Sequence, residues 1–347
     1  MDGKRAEKLK KIGSFLVRCS FFCLLVWLIF HKDYKAIYET IRTIRLGDCV
    51  ILFILGNLYF GFGAAAFYIL VRKYHPEFTF WQAMKTVYLG IFGNAAAFSL
   101  GSVPLRTYYL HTLGIEAGEG ISLLNMDYML HKLSVLFCNT LMLLFLGNCL
   151  DSGSEKMKQY LLIGYGFYTV VILGLAGIVF SEFIYKRICF LLFLVPNKGK
   201  WKKRKNICRH HLKIMHQSGK RVGTDKKNMI KAIAFHGCKL FVMYAIPFVC
   251  LQFLGNHQIS FWKAELLTGV SNLLSGVLPN VSGMGSAEVS FLFVYLPFME
   301  DSMVSSILIL YRVFTYFIPF FISIFVFRTL RKQKKCKGDF YNGSKKI

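Results

Sequence analysis

The stretch Pro279-Asn280-Val281-Ser282-Gly283-Met284-Gly285-Ser286-Ala287-Glu288 sets a proline, two glycines and a carboxylate between two apolar runs, Leu266 to Leu278 and Val289 to Phe298. Irregular backbone at membrane depth survives only where it is buried in protein or lines a wet cavity. An ionisable group at that depth points to function. The chemistry on offer is recognition of a charged or polar ligand. Unpaired N–H groups at a helix start attract anions. Gly283 and Gly285 admit close approach because no Cβ intervenes. Glu288 has three candidate partners: Arg106, Arg312, or the amine of a cationic headgroup.

A second break, Gly101-Ser102-Val103-Pro104-Leu105-Arg106, resembles the first in kind, with Gly101 and Pro104 as the breaking residues as Pro279 is in the other. Arg106 can grip a phosphate through two parallel N–H bonds, or snorkel to lipid phosphates at the interface. Arg312 lies in the apolar run ILILYRVFTYF, where it fits an ion pair with Glu288 or direct ligand contact. Asp127 and His131 are four apart and share a helical face; they suit a proton or metal site, or a pair that satisfies itself, which is the simpler reading. No nucleophile elbow, P-loop, HExxH or dinucleotide fingerprint is present, so the sequence assigns no catalytic residue, no cofactor and no metal.

The elements that must position these residues are membrane helices. The chain has 347 residues, is 55% hydrophobic and has a mean hydropathy of +0.46, too many long apolar runs for a soluble domain. Apolar segments fall at about 12–31, 48–71, 83–101, 121–146, 160–182, 232–254, 264–278, 289–299 and 303–328. The first is too long for a signal-peptide core and lacks a small-residue cleavage site; it reads as a membrane helix. Between it and the next, YKAIYETIRTIR carries Ile37, Ile41 and Ile44 on one face, which predicts a helix in the interface.

The net charge of +25, from 43 Lys and Arg against 18 Asp and Glu, gathers between the apolar segments. That is the pattern of topology-setting charge and attraction to anionic lipid rather than of a specific nucleic-acid site. The N-terminus, the basic loop at about 198–231 and the basic tail 329–347 are therefore all expected on the cytoplasmic side. Parity then requires that 83–119 and 264–299 each dip in and return. Lys32, Lys35, Arg42 and Arg45 run against this arrangement, which places them outside. The predicted fold is all-α and polytopic: about six full spans and two re-entrant broken-helix hairpins, one from each side, in a single domain over 1–347. Paired broken segments from opposite faces are the pattern of inverted-repeat transporters. The cysteines lie mostly in apolar runs, and the loose group Cys208, His210, His211 and His216 matches no metal framework.

Three ordered motifs carry a resemblance. GSVPLRTYYLHTLGI (Gly101 to Ile115) resembles G-G-x-P-x-x-x-Y-Y-L-x-x-x-G-I, and PNVSGMGSAEVSF (Pro279 to Phe291) resembles P-x-P-G-G-x-G-x-x-E-x-x-F. YRVFTYFIPFFISIF (Tyr311 to Phe325) resembles a W-R-x-x-T-Y-Y run. These are motifs of lysylphosphatidylglycerol synthase transmembrane regions of the multiple peptide resistance factor type. On this resemblance Gly101, Pro104, Gly283, Gly285, Glu288 and Arg312 fall on family motif positions. Val281, Ser282 and Ser102 depart from it, which puts the turn shape and the substrate in question.

The resemblance implies a flippase-like protein for a phospholipid or aminoacyl-phospholipid such as lysyl-phosphatidylglycerol, contributing to membrane charge and resistance to cationic antimicrobial peptides. Only about 20 residues follow the last span, so the family's aminoacyltransferase domain is expected to be missing. The alternative is the membrane component of a phosphatidylglycerol lysyltransferase, with a separate aminoacyl-lipid synthase as partner. A structural or regulatory subunit, or a homo-oligomer, fits the same sequence.

Overall fold

The computed structural model describes residues 34–96, 101–146, 155–194, 199–223, 225–278 and 285–343. The apolar run at 12–31, and Pro279 and Gly283 in the second break, lie outside them. The described residues form helices α1 (Tyr34–Arg42), α2 (Leu46–Arg72), α3 (Phe80–Ala96), α4 (Ser102–Thr112), α5 (Ala117–Leu146), α6 (Glu155–Phe180) and α7 (Glu182–Leu194). There follow α8 (Gly199–Val222), α9 (Lys226–Phe253), α10 (Phe261–Ser275), α11 (Ser286–Tyr295), α12 (Asp301–Arg312) and α13 (Ile318–Gly343). A wider π turn, Val313–Phe317, joins α12 to α13 without interrupting the rod.

Five of these segments are long and apolar enough to cross a membrane: Leu46–Arg72, Ala117–Phe145, Leu162–Phe180, Lys226–Phe253 and Asp301–Leu330. Their outward faces stay apolar, with Leu144, Phe145, Leu162 and Val170 among the most exposed side chains, as lipid-facing surface requires. The chain is thus a multi-pass all-α membrane protein.

Both breaks separate short helices that pack on each other, α3 on α4 and α10 on α11. Each pair returns to the end of the bundle from which it leaves. His75, before α3, lies 3.2 Å from Glu119, after α4. Lys263, at the start of α10, has its ammonium 4.2 Å from the ring of Phe298, just past α11. The two pairs enter from opposite ends. Lys73 bridges to Asp225 at 2.9 Å, which fixes the first mouth beside the start of α9, and α9 then carries the chain about 40 Å before α10 begins. The order long helix, two short helices, long helix therefore occurs twice, in α2 to α5 and in α9 to α13.

Glycine decides how tightly the first pair closes. A Cβ on Gly93 would strike the Gly101 carbonyl, and one on Gly90 would sit 3.0 Å from Cδ of Arg106 and 3.1 Å from Oγ of Ser102. Two apolar cores flank the pairs. One joins α2, α3, α5, α6 and α9 around Phe67, Leu70, Leu123 and Leu130. The other joins α9, α10, α11 and α12 around Ile246, Leu267, Phe291 and Ile307. The long helices α2 and α9 lie against each other between them.

The helix predicted from its isoleucines forms, with Ile41 and Ile44 partly buried against the second core and α1 against α12. Two expectations change. The basic segment at about 198–231 is no open loop. Its greater part is α8, which docks on α5 and α6 through buried Leu212, His216 and Ser218. The His216 ring stacks 4.2 Å from that of Tyr185, and its Nδ1 lies 3.0 Å from the Ile178 carbonyl. Lys220 reaches Glu182 at 3.2 Å. The stretch 329–347, expected as a tail, continues the last helix as far as Gly343.

Candidate functional site: two charged clusters between the helices

Arg106 projects from α4 past Gly90 of α3, with its guanidinium carbon 5.2 Å above the ring of Phe67 on α2. Its Nη2 lies 3.4 Å from Oδ2 of Asp127 on α5, and Oδ1 of the same carboxylate is 3.3 Å from Nε2 of His236 on α9. Five helices thus meet at one ion-pair chain. Asp127 and His236 each stand ten positions inside their helices, which is about 15 Å of rise from the helix start.

The cluster holds more positive charge than negative. The His131 ring centre is 5.2 Å from that of His236. Lys239, one turn beyond His236, rests its ammonium 4.8 Å from the ring of Tyr59 and lies within electrostatic reach of Asp127 and His131. Lys132 sits over Tyr128 and Tyr168 at 5.5 and 5.8 Å. Arg106 and Lys239 therefore flank Asp127, and Lys132 adds a further cation within electrostatic reach of Lys239. Arg106 has five donors, and its buried Nε has no hydrogen-bond partner among the described residues. A buried guanidinium this sparsely met can accept a further anion.

The second cluster sits at the other break. Gly285, at φ +89°, adopts a conformation that favours glycine and opens α11. Its N–H donates to Oε2 of Glu288 at 2.7 Å, the reciprocal half of a capping box. The other oxygen, Oε1, is 2.7 Å from Nε of Arg312, whose guanidinium also lies 4.5 Å from the ring of Tyr316. Glu288 is ten positions from Phe298 at the mouth of its pair, again about 15 Å. Tyr59 of α2 stands between the clusters: Lys239 lies on its ring, and Tyr311, next to Arg312, is its electrostatic neighbour.

Of the residues singled out from sequence, the structure joins Gly285, Glu288 and Arg312 in one cluster and Arg106, Asp127 and His131 in the other. Gly101 and Pro104 stand at the start of α4, where the Leu105 N–H donates to the Gly101 carbonyl at 3.2 Å. Arg106 pairs with Asp127 and not with Glu288. Asp127 and His131 do not bond to each other; both turn toward His236. Sequence reasoning missed His236 and Lys239. The signal was available: they interrupt the apolar run around Ala232 to Cys250 one turn apart, the spacing that puts two side chains on one face.

A multi-pass helical bundle, with two broken helix pairs entering from opposite ends and charged clusters packed between its helices, makes this a polytopic all-α membrane protein. The chain belongs to the lysylphosphatidylglycerol synthase TM region family, whose model matches residues 15–323. No curated protein matches it.

Proposed function

We propose that this protein is a flippase-like transporter that moves a phospholipid, anionic or aminoacylated, across the bilayer. The observation that carries this reading is the surplus of partly buried cations beside Asp127, with Arg106 held by one ion-pair contact at 3.4 Å. A phosphate arriving there would exchange with the Asp127 carboxylate at Arg106, while the Lys239 ammonium keeps the site positive. Buried charge is costly unless paired, so an anion that replaces Asp127 at Arg106 leaves that carboxylate with His236 and Lys239 close by. The tight contact at Gly90, Gly93 and Gly101 sets Arg106 in place, and the helix start at Gly285 supplies backbone for a headgroup. The acyl chains would stay in lipid beside the apolar outer surface. In this reading the helix pairs are re-entrant hairpins of an inverted repeat, and α8 lies on the cytoplasmic side with both ends of the chain.

The amine of an aminoacyl headgroup has a place at Glu288 if Arg312 yields. The alternative, a membrane component served by a separate aminoacyl-lipid synthase, draws support from α8. That helix is docked on the bundle and turns Arg209, Lys213 and Lys220 outward.

The test uses cells without other family members, supplied with a soluble aminoacyl-lipid synthase domain. Intact cells are labelled with a membrane-impermeant amine reagent. Expression of this chain should raise the labelled fraction of aminoacyl lipid, and Arg106→Ala should abolish the rise at unchanged protein level. An unchanged fraction would sink the aminoacyl-lipid reading.

A further inference from the structure

Glu265 lies one turn inside α10 and is 0% exposed, and neither carboxyl oxygen has a hydrogen-bond partner among the described residues. Among the described residues no cation pairs with it. The ionisable groups that it meets electrostatically are Cys138 of α5, Tyr244 of α9 and Tyr295 of α11, all neutral at physiological pH. Tyr168 of α6 reaches only the far end of α10, beside Gly276. Lys263, on the same helix, lies over Phe298. The flanking Ala264, Leu266 and Leu267 are fully buried and apolar.

The polar groups around Glu265 are otherwise spoken for. Tyr244 receives Asn139 and Asn272 at 3.2 and 3.0 Å, and the Tyr295 and Thr268 hydroxyls lie 2.6 Å apart. What is left over is acceptors. Asn139 Oδ1 is buried without a partner. It faces α10 at Gly269, where a Cβ would sit 2.7 Å from it, and Gly269 is one turn from Glu265 on the same face. A carboxyl and an amide oxygen, both short of a donor in an apolar setting, lack a hydrogen. A carboxyl so placed takes up a proton rather than stay charged.

We infer that Glu265 is a proton-binding site, and that its occupancy controls how tightly the helix pair α10–α11 closes on α5 and α9. Uptake adds H+ to the carboxylate and gives a neutral acid; no other bond changes. Release leaves an unpaired charge between α10, α5 and α9, so the pair must loosen until water or a cation reaches it. If the transport reading holds, this supplies a proton that can be linked to movement of the pair; the site itself does not depend on that reading.

Two measurements on the full chain in lipid nanodiscs, without any transport assay, test this. Infrared difference spectra across a pH step should contain a protonated-carboxyl stretch that shifts in deuterated water. It should vanish in Glu265→Gln and move in Glu265→Asp. Hydrogen exchange over residues 261–295, corrected for the intrinsic effect of pH, should speed up several-fold at alkaline pH in the wild type and not in Glu265→Gln. A carboxyl band unchanged by Glu265→Gln overturns the proton site. Exchange that responds to pH alike in both proteins, or the same loosening driven by sodium at constant pH, overturns control by the proton. If Glu265→Gln does not fold, the band shift in Glu265→Asp and the wild-type exchange profile decide the matter, and a flat wild-type profile rejects the proposal.

Discussion

Glu288 Oε1 lies 2.7 Å from Arg312 Nε while its Oε2 takes the Gly285 N–H at the same distance. One carboxylate therefore caps its own helix and ties that helix to the last span. Both side chains are largely buried, so removing one partner strands the other. Arg312→Ala should lower stability by on the order of 3 kcal/mol. The double variant Glu288→Gln/Arg312→Met should recover part of that loss. Thermal unfolding in detergent checks both, and a double variant no better than Arg312→Ala would count against the ion pair.

Arg106 should not tolerate a change to lysine. A point charge on a flexible stem cannot keep the position over Phe67 together with the reach to Asp127. Arg106→Lys and His236→Gln should each reduce the labelled fraction of surface lipid, Arg106→Lys by about tenfold or more, with protein level unchanged. Full activity in Arg106→Lys would mean that only charge, not shape, is used there.

At the first break the order of damage follows from what each added methyl meets. Gly93→Ala drives a methyl into the Gly101 backbone, whereas Gly90→Ala meets the flexible stem of Arg106. Gly93→Ala should cost about 1–3 kcal/mol and Gly90→Ala less. Gly90→Ala should instead disturb transport, because it moves Arg106. Equal loss of stability in the two variants would contradict this geometry.

The link between Lys73 and Asp225 makes stability depend on pH. The Lys73 ammonium, followed by the N–H of Asn228, holds the Asp225 carboxyl below the ordinary carboxylate range despite partial desolvation. A depressed acid contributes stability that is present above its unfolded-state pKa, near 4, and is lost as pH falls through its folded value. Asp225→Asn keeps the helix cap but loses the ion pair, so it should cost about 0.5 kcal/mol at neutral pH, and the gap to wild type should close below about pH 4. A gap that persists in acid would assign the loss to something other than charge.

Much of this arrangement is legible in the sequence because a lipid solvent allows few solutions. Long apolar runs have to be helices, and a proline or glycine break with an acid inside them has to be sheltered. The pairing of Glu288 with Arg312 was among the options for that reason. Partners brought together by the fold were not legible. Arg106 and Asp127 meet only because α4 folds back against α5, and Glu265 lies within the apolar segment 264–278 with nothing beside it in the sequence to mark it as a site. The docking of α8 was hidden as well: its buried stripe is narrow, Leu212, His216, Ser218 and Gly219, in a segment dominated by Lys and Arg. Gly219 shows how close that contact is, since a side chain there would run into the Val179 carbonyl.

The π turn at Val313–Phe317 has a consequence for the last span as a whole. Such a turn holds roughly one residue more than an α turn, so everything beyond it is rotated by about 100° relative to an unbroken helix. Before the turn, Arg312 answers to Glu288. After it, Phe327 stacks on Phe92 at 4.3 Å, and Leu330 packs with Leu89. The rod is two helices out of phase on a common axis, one half indexed to the second break and the other to the first. Deleting a single residue within 313–317 would bring the halves into phase and force one of the two to face the wrong way.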